Sequence, residues 1–225
     1  MKVIDFREGT SDKVVYEEIF KRNVYQKKEF KILPNEKWLD LGGYVGHFSL
    51  YVKSKGGIPV AIVEPFGKNI DLIKKNMDVN NINEIKIIKK AISDKFGKAL
   101  FYINPDGNFQ RNTLKNHYKR KKMIMEEIDI IDIESLINDN ICVKMDIEGS
   151  ELDIIDNKPH IFKNIKKLVL EYHLDKDTKL ENYYKRIEVL KKYFNTVYHD
   201  NLKQKDGSKV GDIKIFPSGR LIYCF

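Results

Sequence analysis

Cysteine is nearly absent from the 225-residue sequence, where Cys142 and Cys224 are the only two. They are too few and too far apart for a disulfide framework or a CxxC metal site, so the expected setting is cytoplasmic or another reducing intracellular compartment. No apolar run approaches the roughly twenty residues needed to cross a bilayer. Met1 is followed by charged residues rather than an apolar signal core, so neither a membrane span nor an export signal is expected. Fixed-period repeats, low-complexity tracts and Gly/Ser linkers are missing as well, which excludes a repeat array and offers no boundary for a second independent domain. His47, His117, His160 and His199 show no HxxxH or HxH spacing. A zinc site is therefore not expected, and no residues are assigned to a metal.

Apolar residues make up 42% of the chain, enough for a substantial core, and Lys and Arg outnumber Asp and Glu by 41 to 33. A net charge of +8 suits an acidic partner such as a nucleic acid or a nucleotide-linked substrate, and equally a solvated basic face. The chain reads as one domain over 1–225, with a helical extension at 1–36 and a core at 37–225. In the extension, Val15, Tyr16, Ile19 and Phe20 recur at helical spacing behind the capping cluster Thr10-Ser11-Asp12.

The core opens with a βαβ pattern: a strand at Lys37–Leu41, a helix from Gly46 to Ser54 and a strand at Pro59–Val63. A helix around Lys68–Asn80 and a β-rich run at Ile85–Lys90 follow. From Ala91 to Met125 the pattern weakens around Gly97, Pro105 and Gly107, and a lid insertion is expected near 104–126, with a basic run at Lys119–Lys122. Beyond it come a short helix near Ile133–Ile137, strands at Ile141–Asp146 and Lys167–Glu171, and a long helix at Leu180–Phe194. The tail offers a strand at Thr196–His199, then Asp212–Phe216 and Arg220–Phe225 joined by Pro217-Ser218-Gly219, an antiparallel hairpin signal. The expected fold is α/β and Rossmann-like, a mostly parallel sheet with helices on both faces.

Two motifs carry chemistry. Asp40-Leu41-Gly42-Gly43-Tyr44-Val45-Gly46 follows the first strand and opens a helix, where a tight glycine turn lets backbone amides approach a cofactor. Glu64 ends the second strand, placed to accept hydrogen bonds from both ribose hydroxyls of a nucleoside. The loop is not GxGxxG, the usual signature of a dinucleotide site. Asp40 puts a carboxylate at the loop entrance that favours a cationic methionine moiety, so S-adenosylmethionine is preferred to NAD.

Together, Trp38–Gly46, Val63-Glu64-Pro65 and Val143-Lys144-Met145-Asp146-Ile147-Glu148-Gly149-Ser150-Glu151 resemble the FkbM family of S-adenosylmethionine-dependent methyltransferases. Asn76 to Asn81 and Ala91-Ile92-Ser93-Asp94 resemble the family's segments between these blocks, and the likeness runs from about Trp38 to His173. It implies a class I methyltransferase fold, with a seven-stranded sheet whose last strand runs antiparallel, and O-methylation of sugars, polyketides or other hydroxyl-bearing molecules. It also implies cofactor contacts from Gly42, Gly43, Tyr44, Gly46, Glu64 and Pro65, from Ala91, Ile92 and Ser93, and from Asp40 and Asp146. Tyr44 departs from the pattern, standing where many relatives carry asparagine.

In open α/β sheets ligands sit beyond the carboxyl ends of the strands, where Asp40, Glu64, Asp146 and Glu171 all fall. An alcohol acceptor must lose a proton, and Asp146 is the first choice for its base, with His173 and Glu148 as further catalytic residues. Glu148, Glu151 and Glu171, with Arg111 and Asn112 of the lid, are the expected acceptor contacts. Glu148 and Glu151 could equally favour a helix N-terminus or bind a divalent cation through oxygen. The partner is expected to be a hydroxyl-bearing small molecule or glycan. The net charge and the basic run keep open an RNA ribose methyltransferase, with a noncatalytic nucleoside-binding module as the other alternative.

Overall fold

The computed structural model describes residues 5–107, 109–115, 123–173, 179–199 and 220–225. Its main sheet has seven strands in the order β3-β2-β1-β7-β8-β10-β9. They are β1 (Lys37–Leu41), β2 (Ile58–Val63), β3 (Lys86–Ile88), β7 (Ile141–Met145), β8 (Ile165–Tyr172), β9 (Val197–Tyr198) and β10 (Arg220–Cys224). β3, β2, β1, β7 and β8 pair in parallel, and β10 lies antiparallel between β8 and β9.

The central strands are mostly apolar because they are covered on both faces. Their side chains alternate accordingly. Leu39, Leu41, Val143, Met145, Leu168 and Leu170 pack with α4 (Glu151–Asn157) and α5 (Leu180–Lys191). Trp38, Cys142 and Val169 pack with α2 (His47–Ser54) and the N-terminal helix. Each fully buried aliphatic side chain contributes about 1.5–3 kcal/mol. A further helix, α3 (Gly67–Val79), places Ile73 and Met77 against Ile62 and Leu50. From β1 the order runs one way to β2 and β3 and the other way to β7, so the loops after β1 and β7 flank a topological switch point, where this fold class binds ligands.

Three expectations change. The first helix is not uniform: α1 (Asp12–Tyr16) widens into a π-helical turn at Glu17–Lys21, with Arg22 N–H reaching back to the Glu17 carbonyl. The capping cluster also divides its work, since the Ser11 side chain makes no cap bond while Thr10 Oγ1 accepts from Asp12 N–H and the Asp12 carboxylate takes Arg7.

Second, the stretch where the pattern weakens, with the residues just after it, forms a three-stranded sheet in the order β4-β6-β5, from β4 (Ala91–Ser93), β5 (Gly97–Ile103) and β6 (Ile124–Asp132). Its antiparallel β5–β6 pair holds Phe101 and Ile103 inward while Leu100, Ile124 and Met125 stay exposed, which blurs the alternation. The end of the expected lid at Ile124–Met125 thus belongs to a strand, and the short helix expected near Ile133–Ile137 is one 3₁₀ turn at Ile133–Ser135. Third, the last strand is antiparallel as expected, but its described partners are β8 and β9. The strand at Asp212–Phe216, the turn at Pro217–Gly219 and the basic run at Lys119–Lys122 lie outside the described residues.

Candidate active site

The loop after β1 is built by backbone contacts that leave no room for side chains at its start. Gly42 has φ +76°, and a Cβ there would meet the Asp146 carbonyl oxygen at 1.7 Å. Gly42 and Gly43 N–H both donate to the Val63 carbonyl at 3.0 Å, and Asp146 N–H donates to the Leu41 carbonyl at 3.0 Å. The ends of β1, β2 and β7 are thereby tied together around a cavity of about 670 Å³, within the range of small-molecule sites.

Glu64 is the anchor of the loop. Its Oε2 accepts from Tyr44 N–H (3.0 Å), and its Oε1 accepts from Phe66 N–H and Asn69 Nδ2 (3.0 Å each). Burial pushes its carboxyl up to about 7, against the pull of these donors. A carboxylate offers about four acceptor positions, so roughly one remains on Oε2, and Glu64 lines the cavity. Two ribose hydroxyls were expected there; the three protein donors leave room for one.

Asp40 does not line the cavity. It is 1% exposed and turned behind the loop, where Oδ2 accepts from Ser49 Oγ (2.9 Å) and Oδ1 lies 3.4 Å from Lys144 Nζ. Its position one residue before Leu41 puts it on the α2 side of β1, opposite Lys144 in register. It therefore acts on the loop through Lys144, whose ammonium donates to the Gly42 carbonyl (2.5 Å) and lies 3.7 Å from Asp146 Oδ2. Burial opposes the charge on Lys144, and Asp40 and Asp146 restore it, holding its pKa above the ordinary value.

The N-terminal segment closes one wall. Tyr44 has φ +48°, and its hydroxyl donates to fully buried Asp12 Oδ1 (2.5 Å) while Ser11 Oγ lies 3.2 Å away. Arg7 pairs with Asp12 (2.8 Å) and lies over the Tyr44 and Phe109 rings. Val15, Ile19, Arg22 and Tyr25 line the cavity from this side.

The opposite end is acidic. Asp146 and Glu148 follow β7, and Glu171 and His173 end β8 or follow it. Glu151 is fully buried at the start of α4 and takes His173 Nδ1 and backbone N–H, each at 2.9 Å on Oε1. Because a carboxylate only accepts, Nδ1 carries the proton. Nε2 is then left 3.5 Å from Glu148, 3.9 Å from Asp146 and 4.0 Å from Glu171. Burial alone would lower the His173 pKa; the Glu148 and Glu151 charges outweigh it and hold it well above the ordinary value. Glu171 is pushed up to about 8 by burial and by the neighbouring Asp146 charge.

Of the expected cofactor contacts, Gly42, Gly43, Tyr44, Glu64 and Pro65 line the cavity, as do Ala91, Ile92 and Asp146. Gly46 and Ser93 do not: Gly46 caps α2 with φ +81° and Ser93 bonds Asp94. Among the acceptor contacts, Glu148, Glu171, Arg111 and Asn112 line it, whereas Glu151 stands behind His173. Asn112 is 8% exposed; its Oδ1 accepts from Asn104 N–H, and its Nδ2 has no hydrogen-bond partner among the described residues. Thr113 Oγ1 donates to the Glu148 carbonyl (2.7 Å), binding this loop to the acidic end.

Sequence reasoning gave no role to Lys144 or Arg7 and read Asp12 only as part of a helix cap. A lysine inside the apolar strand Ile-Cys-Val-Lys-Met was a usable signal, because a charge buried there must be paired. Arg7 and Asp12 pair five residues apart, but the contacts that tie them to the site, Asn69 for Arg7 and the Tyr44 hydroxyl for Asp12, lie far along the chain.

The family described as the FkbM methyltransferase domain matches residues 40–197. A crystal structure of methyltransferase FkbM from Methylobacillus flagellatus KT is similar in fold, with 18% identity, a TM-score of 0.56 and coverage of 93% of this chain and 48% of that one. The chain therefore spans about half the length of that structure. Precorrin-6y C5,15-methyltransferase from Geobacter metallireducens GS-15 shares 12% identity, a TM-score of 0.45 and coverage of 97% and 89%. TYW2 of M. jannaschii, solved in complex with AdoMet, shares 12% identity, a TM-score of 0.47 and coverage of 98% and 76%. No curated protein matches the sequence.

Proposed function

The chain belongs to the FkbM methyltransferase family, and from that premise we propose that it is an S-adenosylmethionine-dependent O-methyltransferase acting on a hydroxyl of a sugar, a glycan or another small molecule. One observation carries the reading: a single cavity joins the open acceptor position of Glu64 to the carboxylates of Asp146, Glu148 and Glu171. The residues fit the cofactor. Glu64 Oε2 has room for one ribose hydroxyl, and Gly42 and Gly43 leave the wall beside it free of side chains. The acidic end suits a sulfonium and an ammonium charge. When bound, S-adenosylmethionine supplies a methyl group on sulfur, open to in-line displacement by an acceptor oxygen.

The chain's own residues then have three tasks. Asp146, the most accessible of the acidic group at 25% side-chain exposure, takes the proton that the acceptor hydroxyl releases as the new C–O bond forms. Lys144 holds Asp146 and the Gly42 carbonyl at one point, so that the base and the cofactor loop keep a fixed separation. Asn112 Nδ2 donates to the acceptor while the Glu148 and Glu171 carboxyls receive its hydroxyls, a mixture of donor and acceptors that matches a polyol.

Incubation with methyl-labelled S-adenosylmethionine and separate pools of sugars, nucleotide sugars and RNA tests the reading. Label in a base-stable methyl ether of a sugar, lost in Asp146→Asn, is expected. Transfer to RNA alone would favour the ribose reading, and binding without transfer to any pool would favour a noncatalytic module.

A further inference from the structure

The acidic end of the cavity holds more negative charge than its protein partners offset. Among the described residues, the ion partners of Asp146, Glu148, Glu151 and Glu171 are Lys144 and His173. Within this group Asp146, Glu171 and His173 each offer one ligand atom, all within 4.8 Å of one another. None of the three is exposed to the extent of an ordinary surface carboxylate; their side chains are 25%, 17% and 14% exposed. The nitrogen ligand is also prepared. Glu151, fully buried, fixes Nδ1 and leaves Nε2 directed at the carboxylates, the arrangement in which a second carboxylate orients a metal-bound imidazole.

We propose that Asp146, Glu171 and His173 form a binding site for one divalent cation of the Mn²⁺ or Mg²⁺ type, with a Glu148 oxygen as a fourth group beside it. Two carboxylates and one imidazole make a predominantly oxygen set, suited to these harder ions rather than to a thiolate-seeking metal. The ion and a proton compete for Nε2, and the ion offsets more of the local charge. Asp146, Glu171 and His173 all line the cavity, so an acceptor hydroxyl there would reach the ion as a ligand and pass its proton to Asp146 more readily. This role, though not the site itself, rests on the proposed methyl transfer; proton removal then no longer depends on Asp146 alone.

The test titrates the purified, metal-free protein with Mn²⁺ and follows the free ion by electron paramagnetic resonance, with Mg²⁺ as competitor. Glu171→Gln and His173→Gln are compared with the wild type after their folding is checked by thermal melting, and all three are titrated with S-adenosylmethionine. One saturable Mn²⁺ per chain, displaced by Mg²⁺ and weakened at least tenfold in both variants, is expected. Uptake that does not saturate, or is equal in wild type and in either folded variant, overturns the site. Should one variant fail to fold, the other decides. Mn²⁺ binding without S-adenosylmethionine binding would leave the site standing and remove the function; the reverse would remove the site and leave the function.

Discussion

Protonation of Glu64 should control cofactor affinity across neutral pH. Raising a carboxyl from 4.5 to about 7 corresponds to about 3 kcal/mol of opposition to its charge. The unliganded protein accordingly binds more protons than its unfolded chain between these values, so Glu64 lowers folding stability as pH rises from 4.5 to about 7 and adds no further loss above it. A ribose hydroxyl donating to Oε2 favours the ionised form by about 1.5–3 kcal/mol, which draws the pKa of the complex about one to two units below that of the free protein. Affinity must therefore be highest above pH 7 and decline below it, by about five- to tenfold between pH 8 and pH 6. Calorimetric titration with S-adenosylhomocysteine at pH 6, 7 and 8 measures this, and avoids methyl loss during the experiment. Glu64→Gln, nearly the same shape but not titratable, should bind more weakly and with a flat profile. A wild-type affinity independent of pH, or a slope that persists in Glu64→Gln, would refute the assignment of the ribose to this carboxylate.

The other predictions concern the loop and the base. Gly42→Ala forces a Cβ to within 1.7 Å of the Asp146 carbonyl oxygen at positive φ; thermal melting should fall by at least about 6 °C, and an unchanged melting point would contradict the described loop. Lys144→Met leaves the buried Asp40 carboxylate without its cation, a loss of about 3–5 kcal/mol in urea unfolding; a loss below about 1 kcal/mol would show that the pair is not closed in solution. Asp146→Asn should lower methyl transfer by about 10²–10⁴-fold; equal turnover would remove Asp146 as the base.

What the sequence disclosed follows from how local each signal is. The strands β1, β2, β7 and β8 were legible because burial on both faces makes each mostly apolar, and the glycine loop was legible because Gly42 at positive φ marks a tight turn. β5 and β6 were hidden because one face of their sheet is exposed and carries Leu100 and Met125 among its charges. The acidic end was legible one residue at a time, as polar side chains at strand ends. Its geometry was not, since the pairing of His173 with Glu151 is set by the contact of α4 with the end of β8. Asp40 shows the same limit in reverse. Its position beside the loop was correct, but strand alternation turns its carboxylate to Ser49 and Lys144 rather than to the cavity.

A crystal structure of the protein with S-adenosylhomocysteine bound would test the central claim most directly. The account predicts a ribose hydroxyl at hydrogen-bond distance from Glu64 Oε2, with the sulfur facing Asp146 across the Gly42–Gly43 wall. A nucleoside bound outside this cavity, or a ribose that makes no contact with Glu64, would contradict it.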